Sequence, residues 1–229
     1  MSTFNNSFSF YTLESGYLKA LAPKQFLESR VMGISRWFLK YTVFDLVLMA
    51  SLAALGIAIK PVIVPLVHFI TGPLLIPGGS VAGGIYMMWI VLGVALVGKA
   101  GSGTIIASVQ AVVVIATGIS GSHGILSIVT YLLPGIAVDA TLFLLKKVKC
   151  YKIKMFVCGM TANVFGTLLS NILFFRLPTI PLLLSLSAGA FSGGIGGLIA
   201  YGIRKRLMVF GLFEHSDKHM SADTQEMQI

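Results

Sequence analysis

Three stretches of the chain carry residue types that could do chemistry. GISGSHG at 118–124 contains the G-x-S-G pattern of intramembrane serine proteases, with His123 shortly after Ser120. That chemistry needs a histidine on a separate helix, held where it can take the serine proton. The apolar stretches after residue 124 contain no histidine, so the stretch reads as a Gly/Ser turn joining two helices. VGKAGSGT at 97–104 sets glycines around a lysine but lacks the G-x-x-x-x-G-K-[ST] order of a phosphate loop. It too is a turn, and the chain has no ATP-hydrolysing motif of its own. No cluster of His, Cys and carboxylate stands at metal-ligand spacing, so no metal and no cofactor is expected. Cys150 lies on a basic background and Cys158 on an apolar one, and both read as free thiols.

The third kind of candidate is the polar residue inside an apolar run. Such residues are costly in lipid and normally face the interior of a bundle. Asn163, Thr167 and Asn171 recur every four residues, as do Tyr131, Gly135 and Asp139, so each set shares one helical face. Tyr86 and Trp89, Gln110 and His123 add further groups. Aromatic faces, amides and hydroxyls converging from several helices suit a small, flat, polar molecule. The candidate binding residues are therefore Tyr86, Trp89, Gln110, His123, Tyr131, Asp139, Asn163 and Asn171. Asp139 is equally suited to holding helices together, and Trp89 to facing lipid. Asp45 reads as an interfacial residue or a partner contact.

The elements that must position these residues follow from composition. Hydrophobic residues make up 56% of 229 positions, charged residues 11%, and mean hydropathy is +0.90. A soluble domain of this size does not carry that balance. The fold class is an all-α integral membrane protein. Spans of roughly 17 to 25 residues are expected near 42–59, 80–98, 104–119, 125–145, 155–174 and 182–203, a bundle of six transmembrane helices. Residues 1–23 have no apolar run after a basic start, so a cleaved secretory signal is not expected.

Charge orients the bundle. With the amino terminus cytoplasmic, fifteen Lys and Arg residues fall inside and only Lys60 and Arg176 outside, which satisfies the positive-inside rule. The expected location is the cell membrane, multi-pass, with both termini cytoplasmic. The net charge of +9 is then accounted for by contact with anionic lipid headgroups, not nucleic acid. Residues 42–206 form the membrane domain. Before it, 1–41 is an interfacial amino-terminal segment in which 24–41 reads as an amphipathic helix, with Leu27, Val31, Ile34 and Phe38 on one face. After it, 207–229 is a polar cytoplasmic tail expected to be disordered.

Two features remain. Residues 60–79, KPVIVPLVHFITGPLLIPGG, are apolar but punctuated by four prolines, which break helices. Apolar non-helical chain at membrane depth is tolerated only against protein or over a cavity, so the segment is expected to be an outer lid loop carrying His68. Small residues at intervals of four let helices approach closely. Gly189, Gly193 and Gly197 read as internal packing, whereas Ala50, Ala54 and Ala58 serve packing or docking to a separate membrane subunit equally well.

Together these features resemble the substrate-binding S component of energy-coupling factor (ECF) vitamin transporters. FDLVLMASLAALGIA at 44–58 is similar to that family's first helix with its docking stripe, and the long first outer loop to its lid. Residues 81–121 and PGIAVDATLFL at 134–144 are most similar to the thiamine or hydroxymethylpyrimidine branch. The resemblance implies a non-enzymatic protein that captures a vitamin or precursor outside. It implies as partners a transmembrane coupling subunit, docked on Ala50, Ala54 and Ala58, and two cytoplasmic ATPases. The sequence departs from the branch at the third helix, which there carries carboxylates and here offers only Gln110; a thiazolium cation would rely on the rings of Trp89 or Tyr86.

The topology is tested by labelling from outside: a cysteine introduced at Ser122 is expected to react with an impermeant maleimide and one at Lys149 is not. The reverse pattern would invert the bundle.

Overall fold

The computed structural model describes residues 40–74, 76–118 and 126–210. The chain divides into two units, Met1–Thr42 and Val43–Ile229, and every described helix belongs to the second. These helices are α1 (Val43–Thr71), α2 (Gly78–Val97), α3 (Ser102–Thr117), α4 (Leu126–Leu144), α5 (Tyr151–Ser170) and α6 (Thr179–Val209). Single 3-10 turns follow α1 and α4, and a π-helical turn, Asn171–Phe175, follows α5. Among the described residues there is no strand. Five of the helices are long and apolar enough to cross a membrane by length and composition, and α3, with 16 residues, is a shorter apolar helix. The expected interfacial helix over 24–41, apart from residues 40 and 41, and the tail beyond Phe210 lie outside the described residues.

Helix ends follow local chemistry. Gly98 and Gly118 terminate α2 and α3 in the left-handed conformation, at φ 66° and 64°, and their N–H groups donate to the carbonyls of Val94 and Val114. Only glycine takes that conformation without a steric penalty from Cβ.

One expectation is corrected. The first helix does not stop at residue 59 but runs through Pro61 and Pro65 to Thr71, about three turns further. The segment expected to be a lid loop is therefore mostly helix, and the non-α connection to α2 begins only at Gly72. A proline inside a helix removes one N–H and displaces the carbonyl four residues earlier. Here the affected carbonyls are those of Ile57 and Pro61, in successive turns. Neighbouring helices or a cavity let a membrane helix tolerate this, and α4 accommodates Pro134 in the same way.

The centre of the bundle is built by backbone approach. Helix α6 packs on α5 and α2, and α1 on α2. A Cβ added at Gly159 would lie 2.1 Å from the Gly193 carbonyl oxygen, at Gly196 2.1 Å from that of Gly84, and at Gly197 2.1 Å from that of Met155. Gly189, Gly193 and Gly197 are all buried, so this stripe is internal packing. The alanine stripe is its opposite: Ala50, Ala54 and Ala58 are all exposed on α1.

The end of the bundle where α2 meets α3 is held by charge. Lys99 forms an ion pair with Asp45 of α1. The buried Arg204 donates through Nε to the Ala95 carbonyl at 2.8 Å and stacks its guanidinium 4.5 Å from the Tyr151 ring. A cation there complements the negative end of α2.

Replacing Gly159 with Ala is expected to destabilise the protein by about 1–3 kcal/mol, because the α5–α6 backbone contact must open. Gly202 of α6 has nothing within 4 Å of an added Cβ, so Gly202→Ala is expected to be neutral or stabilising by up to about 1 kcal/mol. Thermal unfolding of the two variants in the same detergent checks the contrast.

Candidate functional site

At the other end of the bundle, α1 ends, α2 begins, α4 begins, α5 ends and α6 begins. Between them lies a cavity of about 710 Å³. Its wall includes Lys60, Val64 and His68 from α1, Gly79 and Tyr86 from α2, and Thr130 and Tyr131 from α4. Thr167 and Asn171 close the α5 side and Ser185 the α6 side. Most of this surface is apolar, with a few polar groups, as in small-molecule sites generally.

Several of the polar groups are held by hydrogen bonds within or between these elements. Tyr86 donates its hydroxyl to the Gly79 carbonyl at 2.8 Å, which fixes the ring against the first turn of α2. Asn171 opens the π-helical turn, and its Oδ1 accepts the Leu177 N–H at 2.8 Å. Its backbone carbonyl accepts the N–H of Arg176, which adopts the left-handed conformation at φ 46°. The carboxamide thus terminates the helix and lines the cavity at once. His68 accepts the Gly78 N–H on Nδ1 at 3.3 Å, tying the last turns of α1 to the start of α2. This contact is tight: a Cβ at Gly78 would lie 2.6 Å from the His68 backbone nitrogen.

Lys60 supplies the cavity's cation. Its Nζ donates to the Tyr131 hydroxyl and lies 4.4 Å from the centroid of that ring and 5.1 Å from the centroid of Tyr86. Ring faces attract a cation through their quadrupole.

Among the residues expected from sequence, Tyr86, Tyr131 and Asn171 come together at this cavity, and so does His68. The other described candidates do not line it. Asn163 is fully buried behind the wall, where Nδ2 donates to the carbonyls of Ser80 and Gly189, each at 2.8 Å. Gln110 is buried on α3 against Gly56 of α1, and Trp89 packs beside the same glycine. Asp139 lies toward the opposite end and caps α3. Its Oδ1 accepts the Gly103 N–H at 3.1 Å, and its Oδ2 accepts the Thr104 N–H at 2.7 Å and hydroxyl at 2.6 Å. A carboxylate satisfies the free N–H groups of a first turn and complements the helix dipole. His123, with Ser120, lies outside the described residues.

Sequence reasoning missed Lys60. Its signal was present, a lysine between Ile59 and Pro61 in an otherwise apolar run. With Pro61 read as the end of the helix, Lys60 counts only as a loop charge.

With this geometry in hand, comparison with known proteins is informative. The chain resembles a solved structure described as the crystal structure of an S-component of ECF transporter, at a TM-score of 0.65 and 16% identity, covering 82% of this chain and 96% of that one. The fold is therefore that of a membrane-transport S component. Residues 44–165 match the family described as ABC-type cobalt transport system, permease component, and the chain belongs to that family. No curated protein matches it.

The position of Asp139 yields a test. Asp139→Ala leaves the Gly103 and Thr104 N–H groups without their acceptor and is expected to cost about 1–3 kcal/mol of stability. Thermal unfolding is expected to register that loss, while the shape of the distant cavity, read from a crystal structure of the variant, stays as it is.

Proposed function

We propose that the protein is the substrate-capturing S component of an ECF-type importer, with a vitamin or vitamin precursor as ligand and a binding role without catalysis. The observation that carries the reading is the cavity beneath the proline-bearing end of α1. It adjoins the bundle end that bears Lys60 and Arg176, which the distribution of Lys and Arg assigns to the outside. Its volume is within the range that encloses a small organic molecule. Two tyrosine rings, an amide and a threonine hydroxyl suit a flat heteroaromatic ring, so thiamine or hydroxymethylpyrimidine is the favoured ligand. In this reading the six helices span the membrane and the last turns of α1, tied down by His68, act as the lid.

The family's description names cobalt, and the cavity's chemistry argues against that ion as cargo. Divalent cobalt is held by several imidazole, carboxylate or thiolate groups. Among the described lining residues there is one imidazole, no carboxylate and no thiolate, and an ammonium stands in the same cavity.

Delivery would require a transmembrane coupling subunit and two cytoplasmic ATPases, since the sequence carries no ATP-hydrolysing motif. Ala50, Ala54 and Ala58 offer the docking stripe: they are small, in register every four residues, and exposed. Small-residue stripes let two membrane helices approach to backbone distance.

The purified protein alone is expected to bind hydroxymethylpyrimidine or thiamine in a calorimetric titration, and to transport it only when reconstituted with coupling and ATPase subunits. Ala54→Trp is expected to abolish co-purification with the coupling subunit while leaving ligand affinity within about two-fold, because the stripe lies outside the cavity. Normal co-purification of this variant would remove the stripe from the docking surface, and failure of both ligands to bind would remove the proposed cargo.

A further inference from the structure

We infer that Lys60 sets the charge of the ligand: the cavity admits a neutral or anionic ring and disfavours a cationic one. The inference rests on the vitamin-capture reading above and narrows it from a pair of candidate ligands to a charge class.

The argument starts from what surrounds Nζ. Lys60 is a half-buried lysine in the second half of α1, a helix whose hydropathy fits a membrane span. Charged groups at such depth are retained where a partner or a water-filled cavity receives them. Among the described residues that line the cavity there is no Asp or Glu. Nζ instead donates to the Tyr131 hydroxyl and faces the rings of Tyr131 and Tyr86. An ammonium carries three donors, and one is taken by that hydroxyl. Rings attract the charge but accept no strong hydrogen bond, so a ligand with a ring nitrogen, carbonyl, carboxylate or phosphate adds an acceptor beyond the Tyr131 hydroxyl, the one that Nζ meets among the described residues. A charged acceptor makes the stronger bond.

A cationic ligand meets the opposite situation twice over. It brings a like charge into a largely apolar cavity, where repulsion is less screened than in water. It also competes with Nζ for the faces of Tyr86 and Tyr131, which attract a cation. Trp89 does not line the cavity, and of the remaining rings Phe174 and Phe175 do, so the like charge of Nζ carries the discrimination. Thiamine carries a permanent thiazolium charge, whereas its pyrimidine half alone does not. The same cavity therefore separates the two molecules by charge.

The test is a charge series on one ring. Purified full-length protein is titrated calorimetrically with neutral hydroxymethylpyrimidine, its anionic phosphate ester and cationic thiamine, and the titrations are repeated on Lys60→Met. The neutral and anionic ligands are expected to bind tighter than thiamine by on the order of ten-fold or more, the scale of a like-charge penalty in a desolvated site. In Lys60→Met, thiamine is expected to gain affinity and the phosphate ester to lose it. Thiamine binding as tightly as hydroxymethylpyrimidine to the unaltered protein overturns the charge assignment and leaves vitamin capture standing. If none of the three binds, the vitamin reading falls and this inference falls with it. The unaltered protein's own ranking decides the matter if Lys60→Met does not fold.

Discussion

The carboxamide of Asn163 is the contact on which the rest of the bundle is organised. It reaches from α5 across to α2 and α6, donating to the carbonyls of Ser80 and Gly189 in a fully buried position. It fits only because residue 83 has no side chain, since a Cβ there would lie 1.8 Å from Oδ1. In a hydrocarbon setting helices gain no hydrophobic drive to associate, so close packing and interhelical hydrogen bonds decide which faces meet. Asn163 supplies both requirements at one point. Ser192 repeats the device, accepting the Gly84 N–H and donating to the Val81 carbonyl. The first turns of α2 are thereby fixed to α5 and α6, and these turns carry Gly79 and Ser80 into the cavity wall.

Helix α1 contrasts with this interior. Toward its start it shows alanines and large apolar residues to the outside, among them Val43, Val47 and Leu55. Toward its end it carries Lys60, Val64 and His68 into the cavity. The change falls where Pro61 and Pro65 interrupt the backbone hydrogen bonding. A single helix thus presents an exposed stripe of small residues along one portion and lines the cavity along the other. Asp45, bonded to Lys99, anchors its beginning, and the His68 contact with Gly78 anchors its end.

How far the sequence could be read is visible residue by residue. The α-helical class and five of the six element positions follow from apolar runs and glycine stops, and the structure shifts most of their ends by a few residues and carries the last helix on to Val209. The first helix was misjudged because a proline was weighed by its local cost, whereas the tertiary setting offsets that cost. Period-four spacing correctly grouped Asn163, Thr167 and Asn171 on one face, and likewise Tyr131, Gly135 and Asp139, but periodicity carries no information about depth. In the structure Thr167 and Asn171 reach the cavity while Asn163 serves packing. Along α4, Tyr131 reaches the cavity, Gly135 lets the α3 backbone approach and Asp139 caps that same helix. Capping by a residue some 35 positions away leaves no local signature, so Asp139 could not be assigned from spacing.

The unequal lengths of the helices have a consequence for the surrounding lipid. At 1.5 Å per residue, α1 with its 29 residues extends roughly 43 Å and α3 with its 16 roughly 24 Å, against a hydrocarbon thickness of about 30 Å. Both present large apolar side chains outward, including Val62 and Leu66 on α1 and Val112 and Ile115 on α3. In the six-span reading, a bilayer wetting the two sides thickens, or α1 tilts, along one flank, and the bilayer thins along the other. Hydrophobic mismatch of this kind costs fractions of a kcal/mol per Å. In that reading the lipid annulus is lopsided, and acyl-chain length becomes a variable to which the bundle's stance in its membrane responds.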